Sequence, residues 1–324
     1  MKTVGIIGGS GYTGGELIRL VINHPALTLD FVFSSTRPGT PISETHQDLL
    51  GQLDLAFTDQ VNKEVDVLLL CLGHGNSAAF LEQHTFSSHT IIIDLSNDFR
   101  LIKDAHFGGR EFVYGLPETN RAAIEKATAI ANPGCFATAI QLALLPLAKA
   151  KKINNTVHIN ATTGSTGAGV GLSSTSHFSW RNNNISWYKP FTHQHLGEIG
   201  ETLNQVQGEE TELLFLPQRG DFTRGIFATA YTSFEGTIEE AYALYEAFYK
   251  EAPFTQVSKK EVHLKLVVNS NQCFLHLHKH KGQLLITSVI DNLIKGASGQ
   301  AIQNLNILMG WEENLGLQLK TSIF

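Results

Sequence analysis

Several things are scarce in this 324-residue chain, and each scarcity removes a class of protein. Cysteine occurs only at Cys71, Cys135 and Cys273. An odd, widely spaced set argues against a disulfide framework and for reduced thiols. No apolar run approaches the roughly 18 residues that a membrane span needs. The opening Met1-Lys2-Thr3-Val4-Gly5 runs into a strand pattern and then glycines, not a secretory leader. The expectation is a cytoplasmic protein with no membrane partner. A basic surplus is also missing, since the net charge of -6 leaves no electrostatic footprint for nucleic acid. There is no internal repeat and no low-complexity segment. What remains is a globular composition, 42% hydrophobic and 17% charged, in a chain too long for one ordinary core and suited to two domains.

The first half alternates strand and helix patterns. Thr3 to Ile7 is a short apolar run, and Glu16 to Ile22 continues at helical spacing. The glycine-rich stretch between them therefore lies at a strand-to-helix turn, which is the context a dinucleotide fingerprint requires. Gly9-Ser10-Gly11-Tyr12-Thr13-Gly14 fits G-x-G-x-x-G, and Gly8, Gly11 and Gly14 fit G-x-x-G-x-x-G. Either frame lets the backbone approach a pyrophosphate at the helix N-terminus. A tight turn that uses glycine only for its backbone freedom is the alternative. The next strand, Leu27 to Phe33, ends in Ser34-Ser35-Thr36-Arg37 where an NAD enzyme would usually place an acid. Hydroxyls and a guanidinium suit a 2′-phosphate, so NADP is preferred, with a solvated loop charge as the other reading of Arg37. Val65 to Leu72 and Thr90 to Leu95 read as buried parallel strands. They lead into Gly73-His74 and Ser96-Asn97-Asp98-Phe99-Arg100, loops on the cofactor side of such a sheet. His74 suits a cofactor or substrate contact and equally a surface position. These alternations give a Rossmann-type, doubly wound parallel sheet.

After the strand Thr128 to Ala131 comes Asn132-Pro133-Gly134-Cys135, followed by an apolar helix pattern in which Pro146 is expected to kink or stop the helix. A cysteine at a helix mouth meets unpaired N–H groups and the positive end of the helix dipole, which favour the thiolate. Cys135 is thus a candidate nucleophile on the sheet edge where the dinucleotide should lie. A small buried residue in a helix-entry turn is the competing reading. From Thr156 strands dominate, including Val262 to Val268 and Cys273 to His280, with one helix near Leu196 and another capped by Thr237 and Glu240. This is a second, α+β domain with a largely antiparallel sheet, whose broad face suits a homo-oligomer, dimer or tetramer. The loop Thr163-Gly164-Ser165-Thr166-Gly167-Ala168-Gly169 offers N–H groups and hydroxyls to an anion, or else is a flexible linker. His193-Gln194-His195-Leu196-Gly197-Glu198 supplies two histidines and an orienting carboxylate for a cysteine nucleophile. Metal ligation by the same trio ranks lower for want of a further ligand cluster. His276, His278 and His280 share one strand face, which solvation explains without a metal.

Taken together, several stretches resemble the N-acetyl-gamma-glutamyl-phosphate reductase family of arginine biosynthesis. They are Gly11-Tyr12-Thr13-Gly14, Asp94-Leu95-Ser96 with Asp98-Phe99-Arg100, Tyr114 to Glu118, Asn132 to Cys135, Gly164 to Gly169, His193-x-His195-x-x-Glu198, Arg224-Gly225 and Asp291-Asn292-Leu293-x-Lys295-Gly296-Ala297. They span almost the whole chain. The resemblance implies NADPH-dependent reduction of a small acyl phosphate to a semialdehyde, with Cys135 as nucleophile and His193 as acid/base. It implies substrate or orienting roles for His195, Glu198, Ser165 and Arg100, and cofactor roles for Gly8, Ser10, Gly11, Tyr12, Thr13, Gly14, Ser34, Ser35, Arg37, Gly73, His74, Ser96, Gly164, Gly167 and Asn292. No metal is implied. It also implies a cofactor domain of residues 1–134 plus 297–324 and a catalytic domain of 135–296. Phe136 stands where the family usually has tyrosine, and Gly197 where it usually has proline.

Overall fold

A computed structural model describes residues 1–323, which divide into two compact units, residues 1–134 with 297–318 and residues 135–296 with 319–323. The first holds a seven-stranded sheet. Its strands are β1 (Lys2–Ile7), β2 (Leu27–Phe33), β3 (Val67–Leu70), β4 (Ile91–Asp94), β5 (His106–Phe107), β6 (Arg110–Tyr114) and β7 (Ala129–Ala131), in the order β2-β1-β3-β4-β7-β6-β5. All neighbours are parallel except the β5–β6 hairpin. Every residue of β3 is buried, as two-sided coverage of a parallel sheet demands. Ile7, Phe31, Leu68, Leu70, Ile92 and Ala129 belong to one hydrophobic cluster beneath the strands. The order reverses between β2 and β3 around β1, so the glycine loop that follows β1 sits at the switch point of the sheet. The hairpin escaped the sequence reading although Gly108-Gly109 signals it; both take positive φ, 58° and 76°, as a two-residue hairpin turn requires.

The helix Gly299–Leu308 completes the first unit, and its buried asparagines explain themselves there. Asn304 donates to Gly115 O at 2.8 Å and to Asn132 Oδ1 at 3.1 Å. Asn306 Oδ1 bonds His24 Nε2 at 3.0 Å, while its amide donates to the carbonyls of Glu313 and Leu315.

The second unit carries β8 (Val157–Thr163), β9 (Ser186–Trp187), β10 (Leu213–Arg219), β11 (Ile226–Ser233), β12 (Thr255–Ser258), β13 (Cys273–His280) and β14 (Gln283–Ile290), ordered β12-β13-β14-β11-β8-β10-β9. The β12–β13 and β8–β10 pairs are parallel and the other four antiparallel. Burial alternates along β8, with Val157, Ile159 and Ala161 facing inward. Against that inner face packs the helix Cys135–Lys149, with Phe136 through Ala148 all buried. The helix Ile238–Phe248 begins in the expected capping box of Thr237 and Glu240. The last described residues join this unit through Ser322 N–H to Val268 O at 3.0 Å and Asn269 Nδ2 to Lys320 O at 3.1 Å.

Two expectations are corrected. Val262 to Val268 is not a strand; it holds a single 3₁₀ turn, Leu264–Leu266. Val262 and Val267 instead form a small cluster with Val289 and the flanking Leu264, Phe227 and Phe274. The run is apolar because it plugs the sheet, and the edge it would have formed belongs to β12. Pro146 neither stops nor splits its helix, which continues to Lys149. Proline removes the N–H that would bond Leu142 O. That orphaned carbonyl accepts the Tyr249 hydroxyl instead. Tyr245 OH bonds the next carbonyl, Ala143 O, at 2.6 Å, a position that still has its regular helical donor. Tyr249→Phe is therefore expected to lower unfolding free energy by about 1–2 kcal/mol, the cost of a buried acceptor left unmade, and Tyr245→Phe by less. Denaturant unfolding of the two variants side by side checks the difference.

Candidate active site

In the first unit each glycine of the loop has its own reason. Gly8 takes φ 83°, and a Cβ there would lie 2.8 Å from Cys71 O. A Cβ on Gly14 would meet Gly9 Cα at 2.6 Å, whereas Gly11 has nothing nearer than 3.9 Å. Turn, open approach and tight packing thus fall on Gly8, Gly11 and Gly14, which selects the G-x-x-G-x-x-G frame. Gly11 precedes the helix Tyr12–Ile22, whose N-terminus has no side-chain cap and no acid in its first turn. A backbone open at Gly11, in front of uncapped N–H groups, fits a dinucleotide pyrophosphate. The end of β2 lies beside it: the hydroxyls of Ser34 and Ser10 are 3.3 Å apart. Ser35 and Arg37 are exposed there. His46, absent from the motifs read in the sequence, bonds Gly9 O through Nε2 at 2.8 Å and fills the space a Gly15 side chain would need.

The neighbouring loops of this unit are bound up internally. Asp98 accepts the N–H groups of Gly75, Ser77 and Ala78, capping the helix Asn76–Gln83 from a distance in sequence. His74 Nδ1 accepts Asn97 N–H at 3.2 Å, next to Gly73. Ser96 is 1% exposed; its hydroxyl donates to Asp94 and accepts from Asp98 N–H. Arg100 is also buried, and donates to Asn132 O at 2.8 Å and to Leu95 O at 2.9 Å. Ser96 was expected at the cofactor and Arg100 in a substrate or orienting role; the polar groups described here brace loops, Arg100 holding the turn that precedes Cys135.

In the second unit Cys135 opens its helix with no acid in the first turn, leaving the dipole free to favour the thiolate. All three cysteines lie outside disulfides. Gly296 packs so closely that a Cβ there would come 2.8 Å from Cys135 Cβ. His193 is buried and its Nδ1 accepts the backbone N–H of His195 at 3.2 Å, so the neutral ring carries its proton on Nε2. Its centroid lies 5.4 Å from that of Phe136, the residue after the thiol, 5.6 Å from Phe215 and 5.7 Å from Tyr188, all edge to face. His195 is buried at 4.6 Å from His193, with Nε2 3.9 Å from Glu198 Oε1. Glu198 O accepts Gln141 Nε2 from the Cys135 helix at 3.2 Å. Gln141 was missed, though the one amide inside the apolar run Ala137 to Leu145 is a signal.

The loop from Gly164 to Gly169 does not offer its N–H groups as expected. Those of Gly164, Ser165 and Thr166 bond Gly225 O, Phe222 O and Thr223 O, and that of Gly167 bonds Gly164 O. A Cβ at Gly164 would lie 2.4 Å from Thr223 O, so glycine is needed for this loop-to-loop pairing. Asn292 staples the two loops, accepting Gly225 N–H at 2.7 Å and donating to Thr166 Oγ1 at 3.0 Å. Tyr188 is another residue the sequence did not single out. Burial first, and the negative charge of the Cys135 thiolate second, push its phenol well above the ordinary tyrosine range. Among the described residues no group of three or more His, Cys, Asp or Glu side chains is arranged to hold a metal.

Residues 3–127 match the family model described as semialdehyde dehydrogenase, NAD binding domain, and residues 135–292 the one described as semialdehyde dehydrogenase, dimerisation domain. An N-acetyl-gamma-glutamyl-phosphate reductase from Flavobacterium johnsoniae is 62% identical over 100% of both chains. The chain belongs to the N-acetyl-gamma-glutamyl-phosphate reductase family. The matches span both units. Among solved structures, a probable aspartate-semialdehyde dehydrogenase from Pseudomonas aeruginosa aligns with TM-score 0.73 at 13% identity, covering 95% of this chain and 98% of that one. An aspartate semialdehyde dehydrogenase with NADP from Candida albicans gives 0.69 at 14%, covering 97% and 99%. At such identities the likeness is one of fold.

Two outcomes test this geometry. Gly296→Ala should cut kcat at least tenfold, because the added methyl displaces the Cys135 backbone, while the dinucleotide Kd stays within twofold; steady-state kinetics and cofactor titration check it. Burial pushes the Asp94 carboxyl up to about 6 despite its bonds from Ser77 and Ser96 and the charge of Arg100. An acid raised in the folded state favours folding most below its unfolded value, and that contribution is lost as pH rises from about 4 through 6. Asp94→Asn is expected to remove a pH dependence on the order of 2 kcal/mol over that window, read by denaturant unfolding at each pH.

Proposed function

We propose that this chain reduces an N-acyl-gamma-glutamyl phosphate to the corresponding N-acyl-glutamate 5-semialdehyde with release of phosphate, in arginine biosynthesis in the cytoplasm, using NADPH. The observation that carries the reading is a cysteine at the mouth of a buried helix with His193 in the ring cluster beside it, in a chain 62% identical to a named N-acetyl-gamma-glutamyl-phosphate reductase. The Cys135 thiolate attacks the acyl carbon, the carbon–oxygen bond to phosphate breaks, and a thioester remains on Cys135. A thiol suits this step because thiolate is available near neutral pH and its thioester accepts hydride readily. The bound nicotinamide supplies that hydride. His193 donates through Nε2 to the oxygen of the resulting thiohemiacetal and takes that proton back as the carbon–sulfur bond breaks, which frees the aldehyde and regenerates the thiolate. Glu198 orients His195 through its carboxylate, and the pair lines the same aromatic cluster.

The preference for NADPH rests on Ser34, Ser35 and Arg37 at the end of β2, in place of a ribose-binding acid. No helix among the described residues is long and apolar enough to cross a membrane. A homo-oligomer built through the second unit is supported by the exposed apolar side chains of Leu172, Phe178, Ile185, Trp187 and Phe191 near the edge strand β9. The decisive experiment is Cys135→Ser: turnover of N-acetylglutamate semialdehyde with phosphate and NADP+ should fall by more than a thousandfold while NADPH binding is retained. A variant that keeps most of its activity sinks the nucleophile.

A further inference from the structure

The second unit holds Arg181, Arg219 and Arg224, and two of them are spoken for. Arg224 donates to the buried Asp291 carboxylate through Nε at 3.0 Å, with Nη2 in ion-pair contact at 3.0 Å. Arg181, buried, donates to the carbonyls of Thr175, Asn184 and Arg219 and to the Ser186 hydroxyl. Arg219 differs. Among the described residues it makes no ion pair, its side chain hydrogen-bonds the neutral Tyr188 phenol, and its Nε is buried with no hydrogen-bond partner. A buried N–H of a cation without an acceptor is costly, so a site that retains one gains when an acceptor arrives.

The position of Arg219 is fixed from both sides. Its backbone ends β10, pairs with Ser186 of β9, and gives its carbonyl to Arg181 Nη1 at 2.6 Å. Its guanidinium stacks 4.8 Å from the centre of the Tyr188 ring. The other contact of that ring is His193 at 5.7 Å. A guanidinium with no carboxylate partner is therefore one aromatic ring away from His193, held by stacking on Tyr188.

We infer that Arg219 is a substrate-binding residue that recognises an oxyanion of the acyl-phosphate substrate through its guanidinium beside Tyr188. This deepens the proposed reaction and rests on it. The substrate carries two such groups away from the reacting carbonyl, the α-carboxylate and the phosphate. Both present the paired oxygens that a guanidinium fork binds.

The test is run in the oxidative direction, where the two anions come on separate molecules: N-acetylglutamate semialdehyde, inorganic phosphate and NADP+. Arg219→Met should raise KM at least tenfold for one of the first two, with the KM for NADP+ and the Tm nearly unchanged and Arg219→Lys recovering part of the loss. A rise confined to the semialdehyde assigns the carboxylate, and one confined to phosphate assigns the phosphate. Unchanged KM for both, or an equal loss for all three substrates with a lowered Tm, overturns the inference. A second readout needs no turnover: protection of Cys135 from iodoacetamide by N-acetylglutamate or phosphate should need at least tenfold more of the protecting anion in Arg219→Met. Equal protection of wild type and variant also overturns it. If wild type is protected in an Arg219-dependent way yet oxidises no semialdehyde, the anion site stands and the proposed reaction falls.

Discussion

Burying a helix on all sides leaves every polar group on it in need of a partner, and that constraint organises the catalytic unit. The helix Cys135–Lys149 pays it in full. Its broken hydrogen bond at Pro146 is closed by Tyr249, its one interior amide reaches Glu198 and Thr202, and only its two end residues, Cys135 and Lys149, are not buried. The thiol is therefore presented by a rigid element whose backbone dipole favours the reactive charge state. The same amide that satisfies Gln141 fixes the first turn of the helix His195–Gln207, so nucleophile and histidines share one frame.

Around that frame the side chains divide into those that act and those that hold. His193 accepts a backbone N–H at Nδ1, which places its neutral-ring proton on Nε2. Gly296 is small because Cys135 needs the room, and Asn292 is an amide because two loops must be joined by one acceptor and one donor. Arg100, Asp98 and Ser96 do comparable work in the first unit. Residues that a motif groups with the chemistry are often the ones that satisfy buried backbone near it.

Most of the fold and part of the site are legible in the order of the residues. Strand and helix alternation, the glycine loop and the capping box at Thr237 follow from local periodicity and local hydrogen bonding, which sequence spacing encodes directly. Cys135 and the His193-x-His195-x-x-Glu198 segment are likewise visible as residue types in suitable places. The misses came where a run of suitable composition met a tertiary demand: Val262 to Val268 alternates like a strand but plugs the sheet, and Pro146 should break a helix that Tyr249 repairs.

The amino-acid sequence by itself determined the class of each half, the glycine-rich loop and the candidate nucleophile at a helix mouth, because these depend on neighbours within a few residues. Tertiary structure alone decided which glycine frame is used, which loop N–H groups are already taken, and that the Tyr188 ring meets both His193 and Arg219. Those outcomes depend on which distant backbone groups meet, and hydrogen bonds and ring contacts between residues far apart in the chain leave no periodic trace in it.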